Sequence, residues 1–158
     1  MNIETVSLDE LNAFIVRAKA NSYVGSAPKS LSYRPASHDL QFHENDFSYL
    51  DSYFGGTDFI GQEVVYFRQR SIWAMNYYGK ILLPELIDGA QAGQIIKTSL
   101  SELYKQGRFL GGFEYMVGES VYTDTNQGTP ASFSGTEWIT KRGQRVYELL
   151  YHGGMIKD

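Results

Sequence analysis

The chain repeats itself, and this limits what it can fold into. Leu40-Gln41-Phe42-His43 through Phe47-Ser48-Tyr49-Leu50-Asp51-Ser52 reads onto Phe113-Glu114-Tyr115-Met116 through Ser120-Val121-Tyr122-Thr123-Asp124-Thr125 at a constant offset of 73. Phe54-Gly55-Gly56-Thr57-Asp58-Phe59-Ile60 reads onto Phe133-Ser134-Gly135-Thr136-Glu137-Trp138-Ile139 at 79, and Met75-Asn76-Tyr77-Tyr78-Gly79 onto Leu149-Leu150-Tyr151-His152-Gly153 at 74. Extra residues in a loop from Asn126 to Ala131, and residues lost in a hairpin, account for the changes of offset. Two copies are too few for a solenoid. The expectation is one domain over residues 1–158, with pseudo-symmetric repeats at about 7–82 and 84–156. A seam between repeated halves is a natural place for a ligand cleft.

Each half opens with a helical pattern. Ser7-Leu8-Asp9-Glu10 has the form of a capping box, and Leu8, Leu11, Ile15 and Ala18, with Phe14 beside them, recur at helical spacing to about Asn21. Tyr23 to His38 is rich in Ser, Pro and Gly and shows no period, so it reads as a long ordered loop. Strands are expected at about 39–43, 46–54, 58–68 and 71–79, joined by tight turns and therefore antiparallel. A second helical region spans Pro84 to Gln106, with a stripe of Ile95, Ile96, Ser99, Leu100 and Leu103, and Gly107 is placed to stop it. Strands at about 112–117, 119–125, 132–140 and 144–152 complete the chain. The fold class is α+β: two helix-plus-four-antiparallel-strand repeats forming one domain, with helices covering one face of the sheet or sheets.

Composition narrows the function. Tyrosine is abundant, with 12 Tyr among an aromatic fraction of 15%, and it suits half-wet strands and pockets that bind by stacking and hydrogen bonding. The net charge of −4, with Lys and Arg spread along the chain, argues against direct nucleic-acid binding. The absence of cysteine removes disulfides and thiolate chemistry and fits a reducing cytoplasm. With no signal-like N-terminus and no long apolar run, neither export nor membrane insertion is expected.

Strand alternation puts Tyr49, Asp51 and Tyr53 on one face, and the repeat supplies Tyr122 and Asp124. Paired carboxylates can share a proton, bind a cation or work as acid and base. Each Asp can equally sit at a strand end and cap a turn. Arg34 could clamp an anionic group at the rim, although Pro35 after it also suits a pinned loop. None of His38, His43 and His152 has metal-ligand spacing to another; His152, standing where the first half has Tyr78, is the best general-base candidate. No metal is implied by that spacing and no cofactor by any G-x-G-x-x-G loop, and without a G-x-S-x-G elbow nothing argues for a serine nucleophile. The expected ligand-binding set is Arg34, Tyr49, Asp51, Tyr53, Asn76, Tyr78, Asp124 and His152, lining one concavity.

The segments Tyr33-Arg34-Pro35, Asp51 through Glu63, Trp73-Ala74-Met75-Asn76-Tyr77-Tyr78-Gly79, Arg108-Phe109-Leu110-Gly111-Gly112 and Tyr151-His152-Gly153-Gly154 together resemble an uncharacterised bacterial family, domain of unknown function 5680. The likeness runs from about residue 8 to 156. Its members occur alone or behind a repressor-type helix-turn-helix, which implies a module that senses something for a regulator and carries over no catalytic residue; no DNA-binding segment is recognisable in this chain. The leading expectation is a small-molecule-binding or sensory module with an aromatic, acid-lined cleft between the repeats. The alternatives are a small cytosolic enzyme using Asp or His as acid and base on a polar metabolite, and a module that binds a protein partner or a second copy of itself.

Overall fold

The structure, a computed structural model, describes residues 6–25 and 33–157. Among the described residues it is α+β, with two helices and one eight-stranded antiparallel sheet. Helix α1 spans Leu8–Asn21, and the Ser7 hydroxyl accepts from the Glu10 amide at 3.2 Å. Its buried stripe is Leu11, Phe14, Ile15 and Ala18, as the spacing predicts, but Leu8 in the first turn is exposed, and Lys19 is buried with the stripe. Helix α2 spans Gly89–Tyr104. It begins later than expected because Asp88 and Gln91 form a complete capping box there, with Pro84 in the turn before it. Ile96, Ser99 and Leu103 are buried as expected, whereas Leu100 is half-buried, facing a cavity instead of packed core.

The first meander is β1 (His38–Glu44), β2 (Phe47–Gly55), β3 (Phe59–Phe67) and β4 (Arg70–Ile81). The second is β5 (Phe113–Val117), β6 (Ser120–Thr129), β7 (Ser132–Lys141) and β8 (Gln144–Met155). The order across the sheet is β1-β2-β3-β4-β8-β7-β6-β5, so the meanders meet where β4 pairs with β8. Turns are tight: Arg68-Gln69 and Arg142-Gly143 each hold two successive residues at positive φ, the form whose twist matches a hairpin. The first falls one residue earlier than expected.

Two expectations need correction. Asn126 to Thr129, read as loop, extend β6 and pair with β7 from Gly135 to Ser132. A Gly-rich segment needs no apolar alternation to join a ladder once a neighbouring strand supplies the hydrogen bonds. The match of Phe54 with Phe133 is also out of step with the sheet. Phe54 lies on the outer face beneath the Arg34 guanidinium at 4.5 Å, whereas Phe133 is core, stacked on Trp73 at 5.8 Å. Likeness of residue type does not report strand register, and a shift of one residue moves a side chain to the other face.

Both helices cover the same face, α1 against β1 and β2, and α2 against β5, β6 and α1. Between them and the central strands lies the space in which the polar groups collect. Of the loop at 23–38, residues 26–32 lie outside the described residues. Beyond them Asp39 ties the chain down, accepting from the Tyr33 amide and the Ser37 and Ser52 hydroxyls at 2.7–2.9 Å. Burial pushes its carboxyl up, but these bonds and the Arg34 charge outweigh that and hold it below the ordinary range. No helix among the described residues is long and apolar enough to cross a membrane.

Candidate functional site

A cavity of about 780 Å³ lies between the sheet and the helices. Its floor carries an unusual load for a protein interior: Asp51 and Glu63, directly opposed on β2 and β3, and Asp124 and Glu137, directly opposed on β6 and β7. All four are less than a tenth exposed. Opposed side chains on one face of antiparallel strands stand about 5 Å apart at Cβ, so each pair sets two carboxylates side by side.

Tyrosines hold the acids. The Tyr77 hydroxyl donates to Asp51 Oδ1 at 2.5 Å, and the Tyr151 hydroxyl to Asp124 Oδ1 at 2.7 Å. Each phenol reaches two strands away, and glycine makes the reach possible. Tyr77 crosses β3 at Gly61, and a Cβ placed there would sit 2.5 Å from the Tyr77 oxygen. Tyr151 crosses β7 at Gly135, where a Cβ would sit 2.3 Å from the ring. Glycine within a strand often marks such a close approach.

The glutamates differ in their partners. Glu137 accepts from Tyr122 at 2.5 Å and from Tyr147 at 3.0 Å. Glu63 instead meets Lys19 of α1, whose Nζ lies 2.8 Å from Oε1 and 2.6 Å from Oε2. Oε2 is wholly enclosed and is held by that charge contact with Lys19.

Burial dominates the electrostatics. It raises Asp51 from 3.8 to about 7, with help from the Glu63 charge and against the Tyr77 hydrogen bond and Lys19. It raises Glu137 from 4.5 to about 7, opposed by the Tyr122 hydrogen bond, and Asp124 to about 6, opposed by those of Tyr151 and Asn126. The phenols of Tyr49, Tyr77, Tyr104, Tyr122 and Tyr147 are pushed well above their ordinary value, by burial first and by the neighbouring carboxylates second. They are neutral donors and acceptors at physiological pH. Several carboxyls poised near neutrality inside one cavity mark it as a functional candidate.

A family model described as "Domain of unknown function (DUF5680)" matches residues 51–156, most of the sheet and all of α2. The chain belongs to that family. No curated protein and no solved structure matches it. The family's matched span holds all four carboxylates and the six tyrosines at 53, 77, 104, 122, 147 and 151 that line the cavity.

Of the residues expected to form the site, Tyr49, Asp51, Tyr53 and Asp124 meet in this cavity. Arg34, Asn76, Tyr78 and His152 do not. In β4 and β8 the residues facing inward are Tyr77 and Tyr151, so Asn76, Tyr78 and His152 point to the outer face, Asn76 opposite His152. Arg34 donates to the Ser52 carbonyl and hydroxyl at 3.2 and 2.8 Å and shares a shallow outer concavity with Asn76, Gln62 and Phe54. Alternation separates the two faces of a strand but does not say which is inside when both carry aromatic and polar residues.

Lys19, Glu63, Tyr104 and Glu137 were missed by sequence reasoning. Lys19 follows Leu11 and Ile15 at intervals of four, on the apolar stripe of α1. Glu63 shares a strand face with Phe59, Gly61, Val65 and Phe67. A charged residue on an otherwise apolar face was the available signal in both cases. Among the described residues no three His, Asp or Glu side chains are placed to hold a metal ion.

Proposed function

We propose that this chain is a small-molecule-binding, sensory module, and that the ligand occupies the cavity between helices and sheet. The observation that carries the reading is the cavity itself. Its volume of about 780 Å³ falls within the range of small-molecule sites, and converging acids and phenols rim an aromatic interior. Within a bacterial cytoplasm, such a domain would report to a transcription regulator, joined to it or beside it.

We also infer that the meanders are two copies related by a pseudo-twofold axis between β4 and β8. Support comes from contacts that recur at offsets of 73–74: Tyr77 to Asp51 and Tyr151 to Asp124, Gly61 beneath one tyrosine and Gly135 beneath the other. Phe59 of β3 stacks with Tyr147 of β8 at 6.4 Å, and Phe133 of β7 with Trp73 of β4 at 5.8 Å. Gly55, the last residue of β2, and Gly128, one before the last of β6, both have positive φ, about 90° and 98°, where any Cβ would strike a carbonyl oxygen. The site then draws one Asp–Glu pair from each copy.

The test uses Gly93, which lines the cavity on α2 and whose Cβ position has no atom within 4 Å. Gly93→Phe fills the cavity mouth without displacing backbone. A fragment library screened by thermal shift should give stabilising compounds for the unaltered protein that lose their effect on Gly93→Phe. Equal stabilisation of both proteins would place binding elsewhere.

A second reading, an enzyme that moves protons on a polar metabolite, is favoured by Asp51 and Glu137 lying near pH 7, where a carboxyl can both give and take a proton. Turnover of any bound fragment that disappears in Asp51→Asn, with substrate affinity retained, would establish it.

A further inference from the structure

Resting on the reading that the cavity takes a small molecule, we propose that this occupant is an organic cation, an ammonium group carried on an apolar or aromatic skeleton. Four carboxylates line the space, against two lysines. Lys19 is committed to Glu63, and Lys97 sits at the mouth over the Tyr23 ring at 4.9 Å. Counting both lysines, the lining carries two net negative charges when all four acids are ionised. Glu63, nine-tenths buried, already has the Lys19 ammonium against both of its carboxylate oxygens, so the demand for a cation falls on the other three acids.

The phenols sharpen the argument. Tyr77, Tyr151, Tyr122 and Tyr147 spend their protons on the acids, so they offer an incoming ligand only oxygen lone pairs and ring surface. At the carboxylates themselves a ligand meets acceptors and π systems, and there it must bring the donors and the positive charge. An anion would enter against the acids, and a neutral molecule would leave the charge of Asp51, Asp124 and Glu137 uncompensated when they ionise. The remaining wall is apolar, with Phe59, Met75, Ile96, Leu100, Phe109 and Leu149, which requires a hydrocarbon portion on the ligand.

Proton exchange follows. The acids face one another within each pair, Asp51 with Glu63 across β2 and β3 and Asp124 with Glu137 across β6 and β7, with Lys19 on α1 and Tyr104 and Lys97 on α2 lining the same cavity. Tyr23 and Tyr53 join the mouth, where the His38 ring of β1 lies 5.1 Å from that of Tyr53. Asp39 adds negative charge near Asp51, and Arg108 positive charge near Asp124. Burial keeps Asp51 and Glu137 protonated up to about pH 7 and Asp124 up to about pH 6. A bound ammonium favours the ionised acids and so lowers these values. Its affinity must rise with pH across that window, and fall as the acids take protons below it.

The experiment is calorimetric titration of three matched probes: 2-(1-naphthyl)ethylammonium, the neutral 2-(1-naphthyl)ethanol and the anionic 3-(1-naphthyl)propanoate. At about pH 8.5 the ammonium should bind about tenfold to a hundredfold more tightly than the alcohol, the range expected for charge-assisted hydrogen bonds. Lowering the pH to about 5.5 should remove most of that advantage. Asp51→Asn and Asp124→Asn should each weaken the ammonium and leave the alcohol unchanged, in protein shown by its melt to be folded. Alcohol or carboxylate binding as tightly as the ammonium, or an advantage indifferent to pH and to both substitutions, would overturn the inference. If none of the three binds, the cation inference also falls; fragments whose effect is lost in Gly93→Phe would still leave the cavity reading standing.

Discussion

Asp51→Asn should make the protein more stable, and increasingly so as the pH rises. Asp51 is 4% exposed, and the asparagine keeps an oxygen to accept from Tyr77 at the same place. The folded-state carboxyl titrates at about 7 and the unfolded one near 3.8. Because the folded value is the higher, the native state holds this proton more tightly. The benefit of that is complete below about pH 4 and is lost as pH rises through 7. At about 1.4 kcal/mol per tenfold, the loss amounts to about 1.5 kcal/mol by pH 5 and about 4 kcal/mol by pH 8. The amide carries no charge and escapes it. Its own imperfect hydrogen bonding costs about 1 kcal/mol at every pH. The gap between variant and unaltered protein should therefore widen by about 2–3 kcal/mol between pH 5 and pH 8, or roughly 5–10 °C in Tm for a domain of this size. Urea denaturation of both proteins at the two pH values measures it. A gap that stays constant, or a variant destabilised equally at both, would refute the reasoning and make Asp51 a carboxylate already neutralised by Lys19.

Gly61→Ala and Gly135→Ala should each destabilise by about 1–3 kcal/mol in denaturant melts, because the new methyl group meets the phenol crossing that strand and pushes it from its Asp. Gly93→Ala should stabilise by about 0.5–1 kcal/mol, since it sits inside α2 with no atom near its Cβ, and a loss in the melt would show contacts the cavity does not have. Leu11→Ala should cost about 2–5 kcal/mol, as the side chain is fully buried on α1; an effect near zero would place that helix off the sheet.

The helix stripe of Leu11, Phe14, Ile15 and Ala18 was legible because a helix can bury only one face, and its spacing names that face. The strands were legible for a similar reason: alternation and turn residues are local properties, and their boundaries fall within a few residues of the observed ones. Alternation also sufficed to put Tyr49, Asp51 and Tyr53 together, and the repeat to point at Asp124. What the chain alone could not decide was which side of β4 and β8 faces the helices. Both sides there carry polar and aromatic groups, so Asn76, Tyr78 and His152 were as plausible as Tyr77 and Tyr151 until the sheet was assembled.

The partnerships within the cavity were likewise beyond the sequence. Asp51 meets Glu63 through a strand register, Tyr77 reaches Asp51 across an intervening glycine, and Lys19 arrives from a helix 44 positions away from its glutamate. Local chemistry determined that this chain would form helices and an antiparallel sheet rich in tyrosine. Only the packing of α1 and α2 over the joined meanders removed four acids from water, and it is that desolvation, a property of the assembled interior and of no single residue, which raised the carboxyls of Asp51, Asp124 and Glu137 towards neutrality.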